Sequence, residues 1–494
     1  MEKIHHDVLI VGAGLSGIAA AYHLQTSCPT KTFAILEGRD RLGGTWDLFR
    51  YPGARSDSDM YTLGYPFHPW TKEKSIASAP SILAYLRETA EAHGIDRKIC
   101  YGRRVECARW SSKDCRWEVG VRNVTNGRVE QLTCGFLFVC PGYYDYDQGY
   151  TPDFRGQEMF RGRIVHPQEW PAALNYAGQR VVVIGSGATA VTIIPALAME
   201  AAHVTMVQRS PSYILAMPEK DPVAGWLFNR LPKSTAYKIS RWKNVLIASA
   251  LYSFCRKLPK QASRTLIGLV RRQVGSGVDV ETHFTPGYEP WDQRLCVAPD
   301  GDFFKAIQAG KVSVVTDHIE SFTENGLRLR SGPTLEADII VTATGLRLKF
   351  LGGIALEVDG QPIQPSATVT YKGMMFGDVP NLAVATGYTN ASWTLKCDLI
   401  CEYVCRLLRF MDARGYDQCC PRPNQGAKGV VPLLNLQSGY VRRASNDLPR
   451  QGSSSPWRMY QNYIRDLFAL RYSRLDDGVL QFNTRDDPAA IESA

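Results

Sequence analysis

Two stretches of this chain share one pattern: a short β-branched run, a glycine-rich turn, and a helical run. The first is Asp7 to Val11, then GAGLSG, then IAAAYHL; the second is Arg180 to Ile184, then GSGATA. A strand that turns on glycine straight into a helix opens a βαβ unit that can hold a dinucleotide. Two such units predict an α/β fold with two Rossmann-like dinucleotide-binding domains. Each small residue has its own duty. Gly12 and Gly185 permit the tight turn, and Gly14 and Gly187 let the backbone approach a pyrophosphate. Gly17 and Ala190 let the helix pack close to its strand. The helix starts, at Ser16 and at Ala188 and Thr189, offer unpaired N–H groups to phosphate oxygens.

The end of the second strand in each unit separates the two ligands. In the first unit that strand, Thr32 to Leu36, ends in Glu37, twenty residues after Gly17. A carboxylate there accepts hydrogen bonds from an adenosine ribose. In the second unit it ends in Gln208, Arg209 and Ser210, with Arg209 nineteen residues after Ala190. A guanidinium there can grip a 2′-phosphate bidentately, so the second unit is expected to take NADPH and not NADH. The plainer readings are a glycine turn without ligand and an arginine that is only a solvated charge.

Two further segments carry a resemblance. One is FRGRIVHPQEWP, with Phe160, Gly162, His166, Trp170 and Pro171 spaced as F-x-G-x-x-x-H-x-x-x-W-P between the two loops. The other is GGTWDLFRYPGARSDSD, Gly43 to Asp59, soon after Glu37. Its three aromatics, Trp46, Phe49 and Tyr51, are unusual for a solvated loop. Both segments resemble the signatures of type I Baeyer–Villiger monooxygenases, flavoenzymes that insert an oxygen atom beside a carbonyl. The likeness runs through nearly the whole chain and is strongest to the ethionamide-activating branch, which oxidises ketones and sulfur in thioethers and thioamides. One departure is the cysteine of CPG, Cys140 to Gly142, where related sequences commonly carry a small polar residue.

The resemblance implies FAD on the first unit, with Gly44, Thr45, Trp46, Asp47, Leu48, Asp57 and Val105 joining Gly12, Gly14, Ser16, Gly17 and Glu37 at the cofactor. It implies that Arg55, Ser56 and Asp57 border the nicotinamide. NADPH would reduce the flavin, dioxygen would add at its C4a, and the peroxide would attack a carbonyl to give an ester or lactone. Arg294, in YEPWDQRLCVAPDGDFF, stands where the family carries its essential arginine, with Asp57 to orient it. A permanent cation suits an anionic peroxide and its adduct. A surface arginine in a loop is the plainer reading. His166 tempts a general-base assignment, but the resemblance gives it a structural and conformational role.

The expected order is an FAD domain (1–144), an NADP domain begun (145–214), a helical insertion (215–289), the NADP domain resumed (290–378), and the FAD domain completed (379–494). Strand-like runs at Phe136 to Gly142, Asp338 to Gly345 and Asn381 to Tyr388 mark the crossings. Between Val105 and Phe138 an alternating pattern with an Asn126-Gly127 turn predicts an antiparallel meander.

Three rival readings stay open. A flavin monooxygenase restricted to nitrogen or sulfur shares both loops but usually lacks the final Trp-Pro. A disulfide reductase needs a cysteine pair beside the flavin, and the only adjacent pair, Cys419-Cys420, is far from either loop. A non-catalytic flavin-bound binding protein is the third.

The thirteen cysteines are scattered without metal-type spacing, which suggests a reduced, cytoplasmic protein with no metal site. Cys397, Cys401 and Cys405 fall on one helix face, as packing would place them. No signal peptide and no membrane span are expected. Net charge is +9, yet residues 222–278 carry eleven Lys and Arg and no Asp or Glu. Interleaved with apolar runs, that segment suggests peripheral contact with a membrane that supplies lipophilic substrate. A helical subdomain with a solvated basic face and an ordinary core is the plainer reading, and no nucleic-acid module surrounds it. The sequence leaves the oligomeric state open.

Overall fold

The computed structural model describes residues 4–428, 430–434 and 436–485. Two sheets organise it. In the first, the strand His5–Val11 lies between Phe33–Leu36 and Val129–Val139, parallel to both. Val8, Leu9 and Ile10 are fully buried, as expected of a parallel strand covered on both faces. The strand Val129–Val139 does double duty. Its first half pairs antiparallel with Arg116–Asn123, and its second half runs parallel to His5–Val11 and to Leu382–Val384. The expected meander, Arg103–Ser111, Arg116–Asn123 and Val129–Val139, is thereby fused to the dinucleotide sheet.

The second sheet has five strands in the order Val312–Thr316, His203–Gln208, Arg180–Ile184, Ile339–Thr342, Arg163–Val165. Every pairing in it is parallel.

The boundary placed at 378 needs correction. Strand Ala355–Val358 pairs with Arg103–Ser111 in the first sheet, and Gln361–Ile363 extends that edge. The chain therefore returns to the first sheet directly after Ile339–Thr342. The hairpin that makes this return turns on Asp359 (φ 48°) and Gly360 (φ 80°). Positive φ at both positions is what an Asp-Gly hairpin turn demands.

The insertion contains helices Pro222–Phe228, Lys233–Lys257, Pro259–Val274 and Val280–Phe284. The long helix is pinned to the first domain by Arg241, which is buried and donates to the carbonyls of Tyr61 (2.7 Å) and Gly64 (2.9 Å). Those carbonyls sit at the C-terminal end of the short helix Met60–Leu63, where a cation is favourable. Val270 and Val274 pack into the core of the second domain, so the insertion touches both domains. Near the C-terminus, helix Trp393–Arg414 lies on helix Leu15–Ser27, and Cys397, Cys401 and Cys405 are buried in the core beneath it. Among the described residues no helix is long and apolar enough to cross a membrane.

Candidate active site

A cleft of about 460 Å³ runs from the first glycine loop to Arg294 between the two sheets. At one end the backbone leaves room that a side chain would fill. Gly12 has φ 100°, and a Cβ there would stand 2.7 Å from the Cys140 carbonyl oxygen. Gly44 has φ 54°, and its Cβ would lie 3.2 Å from the Gly14 Cα. Helix Leu15–Ser27 starts at Gly14 without a side-chain cap, so its first amides face an open channel. This geometry fits a pyrophosphate. Gly17 lies within the helix and does not border the cleft. Its Cβ would meet the Gly12 carbonyl oxygen at 1.9 Å, so it serves close packing.

Glu37 lines the cleft and is buried. Its carboxylate accepts from the backbone amides of Ala13 (2.7 Å) and Arg39 (2.9 Å). Burial raises its pKa in spite of those bonds. Thr45, Trp46 and Val105 also face the cleft. Ser16 does too, but its hydroxyl accepts from the Trp393 indole at 2.9 Å.

Asp47 and Leu48 are corrections: neither lines the cleft. Asp47 is almost fully buried, 2.7 Å from Arg39 and 2.9 Å from Arg50. It holds the loop's shape through ion pairs. Ser56 also turns away, with its hydroxyl accepting from the Ala77 amide at 3.2 Å.

The second loop is open on its outer side. Helix Ala188–Leu197 starts at Gly187 without a side-chain cap, and a Cβ on Gly187 would meet nothing. Gly185 has φ 133°, and its Cβ would stand 2.3 Å from the Ala343 carbonyl oxygen. Ala190 is buried against the sheet, while Ala188 and Thr189 reach the cleft. Arg209 and Ser210 are exposed beside the loop, and the Ser210 carbonyl accepts from the Ser186 hydroxyl. Arg209 has no ion-pair partner among the described residues, so its guanidinium is free to bind an anion.

The segment Tyr51 to Asp57 bridges the two units. The half-buried Tyr51 bonds Thr189 through its hydroxyl, and desolvation there pushes its pKa up to about 12. A Cβ on Gly53 would lie 2.6 Å from the Thr192 carbonyl oxygen. Arg55 lines the cleft but is held bidentately by Asp302, at 2.5 and 3.3 Å. This ion pair crosses from the first domain to the second.

Arg294 sits on the cleft wall where these elements meet. Its nitrogens are 3.5 Å from the Tyr143 hydroxyl, 3.5 Å from the Tyr388 carbonyl and 3.6 Å from Asp57 Oδ2. All three contacts are at or beyond the length of a good hydrogen bond. Its Nε is buried without a partner among the described residues. Burial opposes the charge, but the surrounding Tyr143, Tyr440 and Asp57 outweigh it and raise the pKa well above the ordinary value. The result is a permanent cation with donors held in reserve. Tyr143 packs at 5.0 Å from Trp393 and at 4.6 Å from Tyr144, forming an aromatic wall beside it.

Sequence reasoning missed Tyr143, Tyr388, Lys396, Asp466 and Asp302. Tyr388 lines the cleft, and its hydroxyl donates to Asp466 at 2.7 Å. Asp466 in turn pairs with the buried Lys396 at 2.7 Å. The local signals were the tyrosine that ends NLAVATGY and Asp302 in the segment that carries Arg294, neither of which the sequence alone gives a role.

The five residues of the linker signature stand away from the cleft. Phe160 packs against Phe322, and a Cβ on Gly162 would meet the Asp338 carbonyl oxygen at 2.3 Å. Trp170 packs on the second core beside Tyr176, and Pro171 is exposed. His166 Nε2 donates to the Gly345 carbonyl (3.2 Å), and Nδ1 accepts from the Gln168 amide (3.1 Å). Both ring nitrogens are thus committed to backbone, with a neutral ring joining the two chain crossings. Burial lowers its pKa below 6.5. On acidification the unfolded chain therefore binds this proton first. The His166 contribution to stability is complete above 6.5 and falls as pH drops from there through the folded-state pKa. We expect the urea midpoint of the native protein to fall more steeply between neutral and mildly acidic pH than that of His166→Phe. Parallel slopes would contradict it.

Comparison with known proteins places the chain in a family. The model of the flavin-binding monooxygenase-like family matches residues 60–358, and that of the NAD(P)-binding Rossmann-like domain matches 10–83. The FAD-containing monooxygenase EthA of Mycobacterium tuberculosis is 52% identical over 489 residues, covering 99% of each chain. The probable FAD-binding monooxygenase AlmA of Acinetobacter baylyi is 46% identical over 489 residues, covering 99% of this chain and 98% of its own. Among solved structures, an oxidized steroid monooxygenase bound to NADP superposes with a TM-score of 0.77 at 22% identity, covering 97% of this chain and 100% of its own.

Proposed function

The chain belongs to the flavin-binding monooxygenase-like family, and from that premise we propose that it is an FAD- and NADPH-dependent Baeyer–Villiger monooxygenase. Its substrates are small lipophilic ketones, which become esters or lactones. Sulfur in thioethers or thioamides is a second target of the same site. Per turnover one oxygen atom of dioxygen enters the product and the other leaves as water. NADPH supplies two electrons and one proton, and the second proton comes from solvent.

The observation that carries this reading is Arg294: a permanent cation on the cleft wall, which among the described residues has one buried nitrogen unpartnered and the others in long contacts only. Bound FAD, once reduced, supplies the activation of dioxygen. Gly12, Gly14 and the start of helix Leu15–Ser27 would hold its pyrophosphate, and Glu37 its ribose. Thr45, Trp46 and Val105 would line its path toward Arg294. Gly185, Gly187, Ala188 and Thr189 would hold NADPH. The chain's own task is then electrostatic. Arg294 offers N–H donors to negative charge that builds on the reacting oxygen and on the carbonyl oxygen of the adduct. Asp57 keeps the guanidinium turned into the cleft. Tyr143, Tyr144 and Trp393 exclude water from that charge and so strengthen its interaction with Arg294.

NADPH preference tests the second half of the reading. Arg209→Ala is expected to raise the KM for NADPH about 5- to 150-fold, the equivalent of ~1–3 kcal/mol for a charge-assisted phosphate contact. Turnover with NADH should hardly change. Equal kcat/KM for the two nucleotides in the unmutated enzyme would contradict the assignment of Arg209.

A further inference from the structure

The basic segment 222–278 has a specific geometry. Four of its eleven cations are committed: Arg241 is buried on backbone carbonyls, while Lys243, Arg256 and Arg271 pair with Asp221, Asp292 and Glu281. The remaining seven have no acidic partner among the described residues. Beside them the long helix exposes a stripe of apolar side chains, Ile239 (44%), Trp242 (44%) and Leu246 (53%), spaced three and four residues apart. Lys257 continues the same face, and Lys238 borders it. Helix Tyr463–Arg471 presents a second stripe, Ile464 (36%), Phe468 (61%) and, just past its end, Tyr472 (66%). Trp242 meets Tyr463 at 5.9 Å between ring centres, which joins the two stripes into one surface. Nearby, Trp226 is 54% exposed with Arg230 lying 4.6 Å over its ring.

We infer that the surface shared by helices Lys233–Lys257 and Tyr463–Arg471 docks on an anionic phospholipid bilayer. Exposed tryptophan, tyrosine and leucine flanked by unpaired lysine and arginine is the composition that settles at a headgroup boundary. A second copy of the chain fits poorly. A two-fold contact through this face would set its unpaired cations against one another, and residues 222–278 hold no acid to neutralise them. Anionic headgroups supply that charge. Docking does not depend on the oxygenation reading. Only its use, delivery of lipophilic substrate, rests on that reading.

The test uses the full-length FAD-loaded protein without turnover. It is floated with vesicles of phosphatidylcholine plus phosphatidylglycerol, and with phosphatidylcholine alone. We expect binding to the mixed vesicles at low salt, weakening as salt is added. The double variant Lys238→Gln/Lys257→Gln should bind on the order of thirtyfold more weakly, at about 1 kcal/mol per cation lost. Trp242→Ser and Phe468→Ser should each weaken binding about tenfold. Brominated acyl chains should quench tryptophan fluorescence in the native protein, and less in Trp242→Phe. No binding to mixed vesicles at low salt, or equal binding by all the variants, would overturn the proposal. So would a native dimer that Trp242→Ser dissociates, because a second copy would then occupy the face.

Discussion

Alanine at position 294 is expected to stop ester formation from ketones while NADPH consumption continues. Arg294 donates to none of the described residues at a short distance, so its removal orphans no strong partner among them and should leave the fold intact. Its loss falls on the reaction. Removing one donor aimed at developing negative charge costs about 10²–10³ in rate, and a guanidinium carries several donors and a full charge. We therefore expect ester formation to fall by at least ~10³-fold, with NADPH oxidation within about tenfold of normal, because hydride transfer builds little charge at this point. Arg294→Lys should recover only part of the activity, since an ammonium lacks the planar fork. Product formation and NADPH oxidation, measured on the same sample, separate the two steps. Ester made by Arg294→Ala at near the normal rate would remove this residue from the chemistry.

The second large effect is on stability. Lys396 and Asp466 form a buried ion pair at 2.7 Å, with side chains 1% and 9% exposed. Asp466 also accepts from the Tyr388 hydroxyl at 2.7 Å. Asp466→Ala leaves a buried ammonium without counter-charge and a buried phenol without acceptor. Such a break costs about 3–5 kcal/mol. Replacing both partners, as Lys396→Met/Asp466→Leu, should recover much of that loss, because no charge then remains buried. The pair also matters to the site. Tyr388 offers its carbonyl to Arg294, and helix Tyr463–Arg471 carries Asp466. Urea unfolding of the FAD-loaded variants gives the energies. A loss below ~1 kcal/mol for Asp466→Ala would show that the pair is not needed for stability.

The parts legible in the sequence are those encoded within one supersecondary unit. Gly12, Gly14 and Glu37, and again Gly185, Gly187 and Arg209, lie on a strand, a turn and the end of the next strand. Their spacing alone puts them together. The meander was legible for the same reason. The course of the chain after Ile339–Thr342 was not. The strand Ala355–Val358 is short and only part buried, and its destination lies across the molecule on Arg103–Ser111. Its one clear local mark, the Asp359-Gly360 turn, identifies a hairpin but not the sheet it joins.

Within the cleft the contrast is sharper. Asp47 and Ser56 lie in a motif that borders the cleft, but Asp47 sits in the helical turn Thr45–Leu48 and Ser56 in the irregular stretch after it, where successive side chains point in different directions. The partners that turn them inward, Arg39 with Arg50 and Ala77, are set by tertiary packing. Tyr143, Tyr388 and Asp466 come from three distant stretches and meet only through packing of the C-terminal helices. Periodicity carries no trace of such a meeting. The basic segment was legible as composition, while the commitment of Arg241 to the carbonyls of Tyr61 and Gly64 was not.

The most direct test of the account is turnover of a lipophilic ketone with NADPH under oxygen-18 gas in unlabelled water, with the product identified by mass spectrometry. The account predicts an ester or lactone with one labelled oxygen in its ring or chain position, formed with consumption of NADPH and absent in Arg294→Ala. A panel of ketones returned unchanged while thioethers become labelled sulfoxides at full rate, in native enzyme and Arg294→Ala alike, would contradict it.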